Sequence, residues 1–355
     1  MAAYTTIDNP ELYFQTKLWT GTGSTNALTL DGSEDMQPDL VWIKLRAGAA
    51  DYGHRIFDSV RGATKPLNSA ATSAEGTETN SLTVFGSDGF TVVDADEVNQ
   101  SGGSYTYVAW NWKAGNSAGS SNTDGTITST ATANTTSGCS IVKWTGTGAN
   151  GTVGHSMGTA PSFIIVKRYS SSGGGWPVRH PSVTTADVYV VWLHSNSAQS
   201  SDAANFNSTA PTSTVFSLGT SNNVNKPSGH DHIGYCFAEK QGYSKFGVYK
   251  GNANADGAFV YLGFRPAFFL TKRASATGNW VLWDNKRSPA NPVSPWLKPD
   301  STISEDSDVD HLDFCSNGVK FNTTDGAGNG DHTYLYAAFA EAPFVNSEGV
   351  PCNAR

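Results

Sequence analysis

The chain has 355 residues, a formal net charge of −8 and only 15% charged residues, against about a quarter in an ordinary globular protein. That length exceeds one core and suits two or three domains. An acidic balance without a Lys/Arg cluster excludes a phosphate-tracking nucleic-acid surface.

Polarity comes from Ser, Thr, Asn and Gly, rings make up 11% of the residues, and no long segment repeats apolar residues at helical spacing. The composition therefore predicts an all-β protein. Residues 1–12 read as an N-terminal arm without the basic-then-apolar layout of a signal peptide. The most apolar stretch, Phe259 to Leu270, is short and carries Arg265, so no membrane insertion is expected.

Self-similarity organises the rest. Trp19-Thr20-Gly21-Thr22-Gly23 recurs as Trp144-Thr145-Gly146-Thr147-Gly148, and more weakly as Tyr249-Lys250-Gly251-Asn252. After each comes Pro, a variable residue, an apolar run and Lys: Pro38 to Lys44, Pro161 to Lys167 and Pro266 to Lys272. Such a run reads as a strand buried on both faces. Phe57-Asp58 to Arg61 matches Trp283-Asp284 to Arg287, whereas the second copy has Arg179-His180-Pro181. Phe85 to Phe90 and Phe314 to Val319 read as hairpins. Val98-Asn99 matches Val224-Asn225, and aromatic strands close each copy at Tyr107 to Trp112, Ile233 to Phe237 and Leu335 to Phe339. The expected architecture is three tandem β-sandwich units, jelly-roll or lectin-like, at 13–113, 138–243 and 244–344. Residues 114–137 read as a Gly/Ser/Thr-rich linker with at most an edge strand at Thr126 to Ala133, and 345–355 as a fraying tail.

Candidate chemistry is sparse. No nucleophile elbow, zincin motif or phosphate loop is present, so no catalytic residue, enzymatic activity or cofactor is expected. Four cysteines lie at positions that do not correspond between copies, which argues against a disulfide framework. His230-Asp231-His232 could pair on a strand but lacks a third ligand. Glu305, Asp306, Asp308 and Asp310 have the alternation of a calcium loop without its Gly and terminal Glu. Asp58 and Asp284 read as fold-holding carboxylates. Trp176, Trp280, Trp283 and Trp296 lie near loops rich in Gly, Asn and Pro, where exposed rings could stack on a glycan.

The strings Tyr13 to Thr16, Trp19 to Gly23, Pro38 to Lys44 and Phe57 to Gly62 resemble a family of virion structural proteins in phages of marine bacteria. The likeness extends through Tyr107 to Lys113, Ser120 to Ser129, Tyr243 to Gly247 and Ala338 to Phe344. The resemblance implies a tail-fibre-like or appendage protein of the bacteriophage virion that aids host attachment. The alternatives are a capsid decoration protein and, further off, a polysaccharide depolymerase. The expected partners are other virion proteins, further copies of the chain in a homo-oligomer such as a trimer, and a host cell-surface glycan.

Overall fold

A computed structural model describes residues 4–185, 187–309 and 311–352. Among these described residues the fold is nearly all β, with six antiparallel sheets and no barrel. The first stretch holds β1 (Phe14–Thr20), β2 (Asn26–Leu28), β3 (Leu40–Ala47), β4 (Arg55–Asp58), β5 (Leu67–Asn68), β6 (Leu82–Gly86), β7 (Gly89–Val92) and β8 (Thr106–Trp112). The middle holds β9 (Ser120–Asn122), β10 (Ser129–Asn134), β11 (Cys139–Thr145), β12 (Gly151–Gly154), β13 (Phe163–Arg168), β14 (Pro177–Arg179), β15 (Tyr189–Trp192), β16 (Ser200–Ser201), β17 (Val215–Leu218) and β18 (Asp231–Phe237). The last holds β19 (Ser244–Lys250), β20 (Phe259–Tyr261), β21 (Phe264–Arg273), β22 (Trp280–Asp284), β23 (Leu312–Cys315), β24 (Gly318–Phe321) and β25 (Thr333–Pro343).

Each stretch builds a larger sheet and a smaller one. The larger sheets run β1-β8-β3-β4-β5, β16-β15-β14-β13-β18-β11-β10-β9 and β19-β25-β21-β22. The smaller are β2-β7-β6, β12-β17 and β20-β24-β23. The apolar runs before Lys44, Lys167 and Lys272 become β3, β13 and β21, each flanked on both sides by strands, which is why they carry no polar alternation. Pro266 falls where β21 slips register against β25, a place that tolerates a missing N–H.

The two faces of every larger sheet bury different cores. One face packs on its own smaller sheet, giving three private clusters around Trp19 and Phe90, Trp144 and Phe216, and Tyr249 and Phe321. The other faces meet in one shared cluster. At its centre Trp112, Phe237 and Phe339, which end or lie near the end of β8, β18 and β25, form a triangle with centroids 6.0, 5.4 and 5.5 Å apart. Tilted and edge-on rings at such distances contribute beyond their burial.

The recurrent turn is held by the same device three times. Trp19 stacks on Tyr107, Trp144 on His232 and Tyr249 on Tyr334, at 5.3, 5.6 and 5.1 Å. The first member of each stack donates to a backbone carbonyl, of Val98, Val224 and Gly328 respectively. The buried side-chain amide that follows, Asn99, Asn225 or Asn329, accepts from the turn N–H of Thr22, Thr147 or Asn252. Its amide nitrogen donates to the carbonyls of Ser24, Ala149 and Asn254. Only glycine fits the middle of the turn: a Cβ on Gly21, Gly146 or Gly251 would lie 2.0, 2.2 or 2.1 Å from a carbonyl oxygen.

Two expectations are corrected, for residues 114–137 and for the tail, and the arm proves partly buried. Residues 114–137 are not a spacer: β9 and β10 extend the middle sheet through β11, and Ala114, Ile127 and Ala131 are buried. Of the arm at 1–12, Thr5 and Ile7 are buried and Pro10–Leu12 is a 3₁₀ turn. In the tail, Val345 bridges Pro351, and Ser347 bonds Asp8 through both its N–H and its hydroxyl. Polar composition alone reads such segments as loose because it cannot see the backbone pairing that orders them.

Candidate functional site

The aromatic candidates divide sharply. Trp176, Trp280 and Trp283 are 0%, 1% and 0% exposed, so none can offer a ring face to a sugar. Trp176 and Trp280 are instead cross-ties. Trp176 Nε1 donates to the carbonyls of Asn68 and Ala71, and Trp280 Nε1 to that of Trp192, in each case from one sheet pair to the preceding one. Each lies beside a motif lysine: Trp280 pairs with Lys272 across β21 and β22, and the Lys167 ammonium stands 5.3 Å from the Trp176 centroid. Trp283 packs among Phe269, Phe321 and His311. Trp296 is half-buried, with the Lys298 ammonium 4.2 Å from its centroid and His311 5.3 Å away, so its surroundings are already taken up.

The acidic candidates do not gather either. Glu305 accepts hydrogen bonds from Nε and Nη2 of Arg46, at 2.9 and 2.8 Å, and from Nη1 of Arg287 at 3.0 Å. Burial pushes its carboxyl up, but the two arginines outweigh this and hold it below the ordinary range. A carboxylate neutralised this way is a poor calcium ligand. Asp306 accepts the Asp308 N–H, and Asp310 lies outside the described residues. Among the described residues no cluster of His, Cys, Asp and Glu is placed to hold a metal. His232 is buried on Trp144 while His230 reaches Ser171, so that pair does not converge. Cys139 faces the shared core and Cys236 a private one, on opposite sides of one sheet.

Asp58 and Asp284 are fold-holding, as their recurrence suggested. Each accepts the N–H and Nε of an arginine three residues on, Arg61 and Arg287. Each also accepts a donor from the next sheet pair: Tyr235 Oη on Asp58 at 2.8 Å, and Trp110 Nε1 on Asp284 at 3.0 Å. The three motif lysines are fully buried too. Lys44 Nζ donates to the Thr302 carbonyl and Lys167 Nζ to that of Gly174, and burial lowers their ammonium groups to about 8 and about 7.

What composition and motifs missed is an open groove of about 380 Å³ where the first and second sheet pairs meet. Thr72, Gly173, Gly175, Trp192, His194, Ser195, Ser197 and Asn223 line it. Trp192 ends β15 with its ring half-buried. The Gly173 N–H bonds the Thr72 carbonyl at 2.8 Å and ties the two rims together. Gly175 keeps the floor open, since a Cβ there would lie 2.9 Å from both the Trp192 ring and the His194 ring. His194 Nδ1 accepts the Trp176 N–H at 3.2 Å. Burial, with Lys167 nearby, lowers this imidazole to about 4, so it is neutral at physiological pH with Nε2–H as its donor. Asn223 accepts the Gly175 N–H at 2.9 Å. The lining is thus one aromatic ring with neutral hydrogen-bonding groups, able to bind but without the carboxylates that acid–base chemistry requires.

No curated protein and no solved structure matches the chain. A family model covers it from residue 9 to residue 343, described as a domain of unknown function, DUF7483. With nearly its whole length inside that match, from the 3₁₀ turn before β1 to the last residue of β25, the chain belongs to the DUF7483 family.

Proposed function

We propose that the protein is a structural component of a bacteriophage virion, a tail-fibre or surface appendage that aids attachment to the host, built as three tandem copies of one jelly-roll-like sandwich. The observation that carries this reading is the construction itself. One latch recurs three times, around a ring-packed core shared by all three larger sheets. Buried side chains cross between the sheet pairs. Such a cross-tied body suits an element that repeats on a particle surface and adheres through many weak contacts. Three copies within one chain also give a single molecule the threefold character that trimeric appendages obtain by assembly.

A gold-labelled antibody on intact particles, viewed by electron microscopy, tests the reading. Label on the tail or its fibres is the expected result. Even label over the head would replace adhesion by the second reading, a decoration protein that stabilises the capsid, and particles without label would end both. The enzymatic alternative, a depolymerase, requires reducing ends to appear when host polysaccharide is incubated with the protein.

A further inference from the structure

The groove at Trp192 has a chemistry that narrows its ligand. Its volume of about 380 Å³ lies within the roughly 300–1,000 Å³ typical of small-ligand sites. No Lys, Arg, Asp or Glu lines it, and the nearest cations, Lys167 and Arg168, are spent on the carbonyls of Gly174 and Ser172. It does hold a ring with an accessible part and several neutral donors and acceptors. The Trp192 carbonyl is fixed by the Trp280 N–H at 2.8 Å, and the ring stands at 90° to His194, so the platform is ordered before any ligand arrives. Asn223 uses its oxygen on Gly175 and one donor on Ser221, leaving a second amide hydrogen. Ser195 donates to Ser197 at 2.9 Å, leaving the Ser197 hydroxyl hydrogen free.

Two other open grooves lack this combination. The one beside Trp144, about 340 Å³, is lined by a tryptophan only 2% exposed and already stacked on His232. The one between Tyr4 and Tyr261, about 260 Å³, carries Glu239 and Lys245, with the Lys245 ammonium 5.0 Å from the Tyr261 centroid.

We propose that the Trp192 groove binds a neutral, hydroxyl-rich glycan, with the C–H face of one sugar ring on Trp192 and its hydroxyls on His194, Asn223 and Ser197. Apolar C–H groups against an aromatic face and hydroxyls against neutral donors and acceptors match such a ring on both sides. Glycosidic cleavage ordinarily needs a pair of carboxylates flanking the bond. The lining has none, so the groove holds its ligand without cutting it. The source of the glycan rests on the adhesion reading, whereas the chemistry of the groove does not.

The test is calorimetric titration of the full chain with neutral gluco-, manno- and galacto-oligosaccharides, and with uronate and sulfated ones as charged comparators. At least one neutral oligosaccharide should bind and quench tryptophan fluorescence. Trp192→Ala should weaken binding by about tenfold. Ser197→Trp, which places a ring across the mouth from an exposed position, should abolish it with the thermal midpoint unchanged. Absence of binding by every neutral oligosaccharide, a preference for the charged ones, or affinity untouched by both variants overturns the proposal. Labelled particles together with no sugar binding would sink the groove alone. Sugar binding lost in both variants, by a protein absent from particles, would support the groove and sink the virion reading.

Discussion

The seam between the first and second sheet pairs and the seam between the second and third occupy equivalent places and use opposite chemistry. At the first, Asp58 and Arg61 form an ion pair with side chains 0% and 1% exposed, joined by Glu75 and capped by Tyr235. At the second, the strand position of Asp58 belongs to His180, whose Nε2 donates to the Tyr336 carbonyl at 3.0 Å while Nδ1 accepts the Ser182 N–H at 3.2 Å. The partner strands explain the swap. Trp110 of β8 and Tyr235 of β18 bring a side-chain donor to a carboxylate. Ala337, at the equivalent position of β25, brings none, and the small residue lets a donor reach the backbone instead. One geometry can therefore be satisfied by an ionic or by a neutral buried pair, provided every polar atom finds a complement.

The largest effect should come from breaking the ionic seam. Asp58→Ala leaves the Arg61 guanidinium buried with only Glu75 as a counter-charge, and should cost about 3–5 kcal/mol of unfolding free energy. Denaturant unfolding measures this, and a loss below about 1 kcal/mol would mean that the seam relaxes or admits water.

The neutral seam should be acid-sensitive. Burial lowers the His180 imidazole to about 4, whereas in the unfolded chain it titrates near its ordinary value of about 6.5. Between these values the unfolded state holds more protons, so stability is lost as pH falls from 6.5 towards 4. Each such histidine contributes a slope of at most about 1.4 kcal/mol per pH unit. His194 and His232, lowered to about 4 and about 3, add in the same direction. His180→Gln should make the thermal midpoint less steep across that window, and an unchanged slope would show that the proton enters elsewhere.

The smallest effect separates structure from metal binding in the third seam, where Glu305 joins Arg287 to Arg46. Glu305→Gln should lower stability by about 1–3 kcal/mol. Millimolar calcium should leave the thermal midpoint of the parent protein where it is, because a bound ion would raise it by mass action.

Much of the scaffold was legible in the chain. The Trp-Thr-Gly-Thr-Gly turns, the apolar strands before Lys44, Lys167 and Lys272, and the Val-Asn pairs at Asn99 and Asn225 each have a local physical cause that sequence displays: close backbone approach, two-sided burial and a turn amide needing an acceptor. The recurrence of Asp58 and Asp284 likewise pointed to structure before chemistry. The segment at 114–137 was legible only as an edge strand at Thr126 to Ala133, because β9 and the two-sided pairing of β10 run through backbone, to which composition is blind.

Exposure was decided only by the tertiary structure. Trp176 and Trp280 are sealed by a neighbouring sheet pair and Trp283 by the smaller sheet of its own, whereas Trp192 is left half open beside Gly175. Which ring meets solvent depends on how sheets distant in sequence come together around one core. By itself the sequence determined the strands, the turns and their repetition, because those follow from local sterics and periodicity. The shared core, the seams and the groove required the fold, because they exist only between segments far apart in the chain.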